Sequence, residues 1–140
     1  MKSKRATYLI FLDANVPMYL VGQDEVKKKL LEHWLGKLTA AQVPLLTDAE
    51  VFQEILHRFV AIRKVEAIQL AFDALSEAVD EIYPIRFQDV DRAKFNFLAH
   101  PQLSARDAIH FSVMQARGIS EILTFDAGYD NLPGIVRLPN

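Results

Sequence analysis

The chain has 140 residues, of which 51% are apolar, a balance that builds one globular core and excludes a disordered polypeptide. Sixteen Lys and Arg against 18 Asp and Glu give a formal charge of −2, which excludes a polybasic binder that holds nucleic acid by bulk charge alone. There is no cysteine, hence no disulfide framework, thiolate nucleophile or cysteine-based zinc site, as suits a reducing cytoplasm.

The first expected element is a strand over Tyr8–Leu12 behind a basic lead-in of Lys2, Lys4 and Arg5. This start has the outline of a secretory leader. Asp13 cuts the apolar run short, however, and no small-residue cleavage site follows promptly, so a strand is the better reading. No apolar run approaches the ~20 residues of a membrane-spanning helix. Helical spacing then runs over Asp24–Gln42, with Lys27, Lys28 and Lys29 as a solvated face. A strand at Val43–Leu46, helices at Asp48–Arg63 and Val65–Val79, and a strand at Glu81–Ile85 follow. Helices at Val90–Leu98 and Ala105–Arg117, the second closed by Gly118, lead to strands at Glu121–Phe125 and Ile135–Leu138. Strands alternating with helices predict a three-layer α/β/α sandwich around a mainly parallel sheet, in one domain spanning 1–140. The first and fourth strands are continuously apolar, as central strands covered on both faces should be.

Two carboxylates end apolar strands: Asp13 after the first and Asp126 after the fourth. Ligand sites of open parallel sheets lie beyond the carboxyl ends of the strands, near the point where strand order reverses, so two acids delivered there could share a cation. Turn chemistry explains either acid alone: Asp13 with Asn15 and Pro17, or Asp126 ahead of Gly128. Asp107 stands at the third position of a capping box opened by Ser104, on a helix that is apolar nearly all round. A partly desolvated carboxylate there needs a hydrogen-bond partner or a metal. Thr47-Asp48-Ala49-Glu50 reads as a second capping box, which gives Glu50 a structural role, while Glu54 has Arg58 at i+4 as its salt-bridge partner. Glu54-x-x-His57 and Asp107-x-x-His110 also suggest a di-iron carboxylate centre, although the strand-rich pattern is wrong for a four-helix bundle and His57 falls on the outer side of its helix. His33 and His100 read as ordinary surface or loop residues. Neither a phosphate-binding glycine loop nor a G-x-S-x-G elbow is present; Arg58, Arg63, Lys64 and Arg106 are candidate phosphate contacts.

Taken in order, four stretches resemble the PIN-domain ribonucleases, specifically the VapC-type toxins of toxin–antitoxin pairs. They are Ile10-Phe11-Leu12-Asp13-Ala14-Asn15, Glu54 in the second long helix, Ser104-Ala105-Arg106-Asp107-Ala108-Ile109-His110, and Leu123-Thr124-Phe125-Asp126-Ala127-Gly128-Tyr129-Asp130. The likeness covers nearly the whole chain, with Tyr129 standing where Phe is common. It implies a catalytic metal-binding quartet of Asp13, Glu54, Asp107 and Asp126 around one or two Mg²⁺ or Mn²⁺ ions. Asn15 and Thr124 would be polar supports and Asp130 an outlying acid. The implied activity is metal-dependent endoribonuclease cleavage of flexible RNA, silenced by a cognate antitoxin and carried by a homodimer formed through an early helical surface. A PIN-like RNA-binding module with little nuclease activity is the alternative.

Overall fold

The structure, a computed structural model, describes residues 8–139; the basic lead-in of Lys2, Lys4 and Arg5 lies outside them. Five parallel strands form one sheet: β1 (Ile10–Leu12), β2 (Leu45–Asp48), β3 (Glu81–Tyr83), β4 (Glu121–Leu123) and β5 (Val136–Leu138). Their order across the sheet is β3-β2-β1-β4-β5. Six helices connect them: α1 (Asn15–Leu20), α2 (Glu25–Ala40), α3 (Ala49–Ala61), α4 (Ile68–Ala78), α5 (Phe87–Ala99) and α6 (Ala105–Arg117). This is the expected α/β sandwich. Because crossovers between parallel strands are right-handed, the helices that build outward from β1 to β3 cover one face and those that follow β3 cover the other.

The continuously apolar runs do take the centre: Ile10, Phe11 and Leu12 of β1 are buried between Leu45 and Leu46 of β2 and Ile122 and Leu123 of β4. Val51, Ile55 and Phe59 of α3 and Ala108, Phe111 and Met114 of α6 close over them. Each fully buried Leu, Ile or Phe side chain contributes roughly 1.5–3 kcal/mol. The edge strands β3 and β5 are shorter than their apolar patterns suggest; β3 is largely exposed, whereas β5 runs from exposed Val136 to buried Leu138.

Three local differences from the sequence reading have physical causes. Asn15–Leu20, read as turn chemistry, is a short helix, because Pro17 sits in its first turn where a missing N–H costs nothing. β2 runs two residues further than expected, so that Asp48 caps α3 by accepting from the Val51 N–H, 2.9 Å, while the Thr47 hydroxyl donates to the Leu12 carbonyl, 2.9 Å. Thr47 is therefore no cap and Glu50 no box partner; Glu50 pairs with Arg106 at 3.4 Å. α5 begins at Phe87, ahead of the expected Val90, because Asp89 accepts from the Arg86 N–H and pairs with its guanidinium.

Gly118 ends α6 in the left-handed region, φ 70°, with open space around its Cα. Gly118→Ala should therefore cost about 1 kcal/mol through backbone strain alone. Thermal unfolding checks this, with the chemistry at the opposite end of the sheet unchanged.

Candidate metal centre

The order in which strands are added reverses at β1, with β2 on one side and β4 on the other. The crevice beyond the carboxyl ends of β1 and β4 is where such a sheet places a ligand. Asp13, directly after β1, enters it buried, at 3% exposure. Its Oδ1 accepts from the Ala14 N–H, 2.8 Å, and its Oδ2 accepts from the Thr124 hydroxyl, 2.7 Å. Thr124, one residue beyond β4, is a junction. Besides donating to Asp13, its hydroxyl accepts from Asn15 Nδ2, 2.9 Å, and from the Asp126 N–H, 3.0 Å. Asn15 Oδ1 in turn accepts from the Phe125 N–H, 3.3 Å. One hydroxyl thus fixes Asp13 relative to Asp126, which also accepts from the Gly128 N–H, 2.8 Å.

α6 brings the third acid. Ser104 caps it, accepting from the Asp107 N–H at 3.1 Å. The Asp107 carboxylate turns away from the cap to Tyr129, whose buried hydroxyl donates to Oδ1 at 3.0 Å. Asp13, Asp107 and Asp126 thereby offer three oxygens within 4.8 Å of one another. One turn along α6, His110 joins Asp13 and Glu54 in a second group of three within the same limit, Asp13 being common to both. The i+4 partner expected for Glu54 is not taken: no ion pair joins it to Arg58 among the described residues, and its Oε1 lies 3.5 Å from His110 Nε2. Both atoms are buried without a hydrogen-bond partner. Two orphaned polar atoms facing one another beside a set of carboxylate oxygens fit a divalent cation, which takes such donors in place of water.

The electrostatics agree. Burial raises Asp13 above the ordinary 3.8, an effect the His110 ring opposes and Glu54 reinforces. Burial, the Asp13 charge and the adjoining Asp126 carboxylate push Asp107 up to about 7. Burial would lower His110, but the Asp48 carboxylate 2.9 Å from Nδ1, with Glu54 and Asp13 beyond, holds it well above 6.5. The Tyr129 hydroxyl is raised by burial and by Asp13 and Asp107. Like charges crowded in a dry crevice hold protons that a cation would displace.

Asp130 stands apart. It is exposed and paired with Arg137 at 2.7 and 3.1 Å, reaching the crevice only through the bond from Arg137 to the Thr124 carbonyl, 3.4 Å. His57 is exposed, so the paired carboxylate–histidine arrangement of a di-iron centre does not form. Three contributors went unassigned in the sequence. Asp48 reads as part of a capping box, His110 only as half of a di-iron pattern with His57, and Tyr129 carries no polar signal until its hydroxyl meets Asp107.

The PIN domain family matches residues 10–135. Ribonuclease VapC13 of Mycobacterium tuberculosis is 47% identical over 130 residues, covering 93% of this chain and 99% of that protein. Among solved structures, the Mycobacterium tuberculosis toxin VapC20, described as cleaving the sarcin–ricin loop, superposes with a TM-score of 0.68 at 21% identity, covering 84% of this chain and 90% of that one. VapBC2 from Rickettsia felis, bound to a DNA fragment of its promoter, gives 0.71 at 14% identity, with 92% and 96% covered. At those identities the two structures speak for the fold.

The pKa shifts fix the sign of a pH effect. Without metal, the folded chain binds protons at Asp107 more tightly than the unfolded chain between pH 3.8 and about 7, and His110 extends this above 6.5. Both contributions to stability are therefore lost as pH rises. In a chelator the melting temperature should fall from pH 5 to pH 8. Added Mn²⁺ should restore it, by more at pH 8 than at pH 5. A flat profile in calorimetry or circular dichroism would contradict this electrostatic picture.

Proposed function

The chain belongs to the PIN domain family, and within it to the VapC ribonucleases; from that premise we propose that it is the endoribonuclease toxin of a toxin–antitoxin pair, with Asp13, Glu54, Asp107 and Asp126 holding Mg²⁺ or Mn²⁺. The observation that carries this reading is the pair of donor groups sharing Asp13 in the crevice where strand order reverses. Acids alone would repel one another there; acids gathered on separate elements and held by Thr124, Asn15 and Tyr129 make a preorganised seat for a cation.

When bound, a divalent cation supplies Lewis-acid activation of a water and neutralises charge on the scissile phosphodiester. The protein's own contribution is position. Thr124 donates to Asp13 Oδ2 and the Ala14 N–H to Oδ1, which together hold the carboxylate in place, while Tyr129 fixes the Asp107 rotamer. Beside Glu54, a cleft of about 360 Å³ is lined by Asn15, Tyr19, Arg58 and Lys64. Arg58 and Lys64 supply cations for flanking phosphates, and Tyr19, packed edge-on against Phe125 at 5.3 Å, supplies an aromatic wall for an unstacked base. A flexible single strand fits such a cleft better than a duplex. The acidic crevice with a basic, aromatic margin also suits an antitoxin segment that places Arg or Lys against the carboxylates. A homodimer, a single nuclease domain and a cytoplasmic location complete the proposal; among the described residues no helix is long and apolar enough to cross a membrane.

Two variants test it. Asp107→Asn keeps an acceptor for Tyr129 but removes one of the mutually repelling charges. Cleavage of single-stranded RNA should fall by about 100-fold or more, while the metal-free protein melts higher at pH 8. Arg58→Ala with Lys64→Ala should raise KM for RNA several-fold and leave metal affinity unchanged. Absence of cleavage by the parent chain with either metal would favour a binding module, and unaltered cleavage by Asp107→Asn would remove the carboxylates from the mechanism.

A further inference from the structure

His110 is the one residue of the crevice whose chemistry the four carboxylates do not account for. It is fully buried, yet Nε2 has no hydrogen-bond partner. The ring is not free to turn and find one: Nδ1 is held 2.9 Å from Asp48 Oδ2, itself buried and fixed as the cap of α3, and Phe11 packs against the ring with centroids 5.4 Å apart. Nδ1–H donates to Asp48, and Nε2, whose proton a cation would displace, is the atom aimed at Glu54 Oε1, 3.5 Å away, and Asp13 Oδ1, 3.9 Å away. Those separations exceed a good hydrogen bond. They are the spacing of atoms that share one cation at about 2.1 Å each.

We propose that His110 Nε2 is a metal ligand, completing with Asp13 and Glu54 a second cation position beside that of Asp13, Asp107 and Asp126, and that Asp48 orients it by fixing the proton on Nδ1. The inference rests on the carboxylate seat proposed above and adds a nitrogen donor to it. Carboxylate-oriented histidine is a recurring way to hold a metal-binding imidazole in one tautomer. A nitrogen donor also changes which ion is preferred. Mg²⁺ takes oxygen and keeps its waters, whereas first-row transition ions accept imidazole. This position therefore takes Mn²⁺ or a similar ion over Mg²⁺, while the all-carboxylate position discriminates less.

Mn²⁺ allows a direct reading. The untagged protein, labelled with ¹⁵N-histidine and titrated with Mn²⁺, should show the hyperfine coupling of a directly bonded nitrogen in pulsed electron paramagnetic resonance. The exposed His57→Ala variant should keep that coupling and His110→Gln should lose it. In calorimetry, the preference for Mn²⁺ over Mg²⁺ should shrink about tenfold in His110→Gln. Asp48→Asn retains an oxygen to cap α3 but turns an N–H toward Nδ1, which moves the ring proton to Nε2. It should lose the nitrogen coupling while the helix stays formed. Mn²⁺ bound without nitrogen coupling in the parent chain overturns the assignment of His110 and leaves the carboxylate seat standing. Coupling that survives in His110→Gln overturns it as well, and Asp48→Asn that keeps the coupling overturns the orienting role. If the parent chain binds no Mn²⁺ at all, the carboxylate seat falls together with this proposal. The His110→Gln readings count only if its thermal transition shows a folded chain; if it does not fold, the labelled parent chain decides alone.

Discussion

A carboxylate at the buried end of a central strand is the constraint on which this protein depends. Asp13 leaves β1 at a point closed to water, and desolvation there disfavours its charge. The fold answers with two donors, one backbone N–H and one hydroxyl, and with the positive charge of a neighbouring imidazole. It then adds Asp107, Asp126 and Glu54 to the same crevice, which undoes much of that compensation. The result is local frustration that a cation would relieve. Stability is set aside at one end of the sheet, where the proposed ion would meet a finished set of ligands and need little reorganisation.

The rest of the molecule can sustain this because the strain is confined. Below the crevice, β1 is buried on both faces and gripped by β2 and β4, so its last residue has almost no freedom. Helix ends supply the other groups. Asp107 lies in the first turn of α6 and Asp48 caps α3, positions where the unpaired N–H groups and the helix dipole favour negative charge. Three of the charged side chains thus stand where strand ends and helix starts converge. The reversal of strand order is what opens the space between them.

Much of this was legible in the sequence, and the residues show why. Apolar runs without alternation marked β1 and β4 as central, since only strands covered on both faces can be apolar throughout. Asp13 and Asp126 stood out because each interrupts such a run, and Asp107 because an acid on an otherwise apolar helix needs a reason. Asp48 and Thr47 were misassigned because either residue can cap a helix, and only the length of β2 decides between them. His110 was visible only as part of a di-iron pattern with the wrong partner, His57: its own partner Asp48 is 62 residues away, and nothing local announces a hydrogen bond at that separation. The same holds for Tyr129 and Asp107, whose contact is made across the top of the sheet. Local pattern reports which residues are buried; it does not report which buried polar atoms find each other.

The last strand of the sheet contributes no acid, yet it is wired into the crevice. The Thr124 N–H donates to the Leu138 carbonyl, 2.8 Å, and the Thr124 carbonyl accepts from Arg137. The hydroxyl of that same residue spaces Asp13 from Asp126. An edge strand, paired on one side only, is the part of a parallel sheet that frays first. Opening of β5 therefore reaches the chemistry through a single residue, without any unfolding of the core. The exchange rate of the Thr124 amide becomes a gauge of how often the site is intact, and a molecule that stiffens or peels the β5 edge would tune the enzyme from a distance, touching neither the acids nor the cleft.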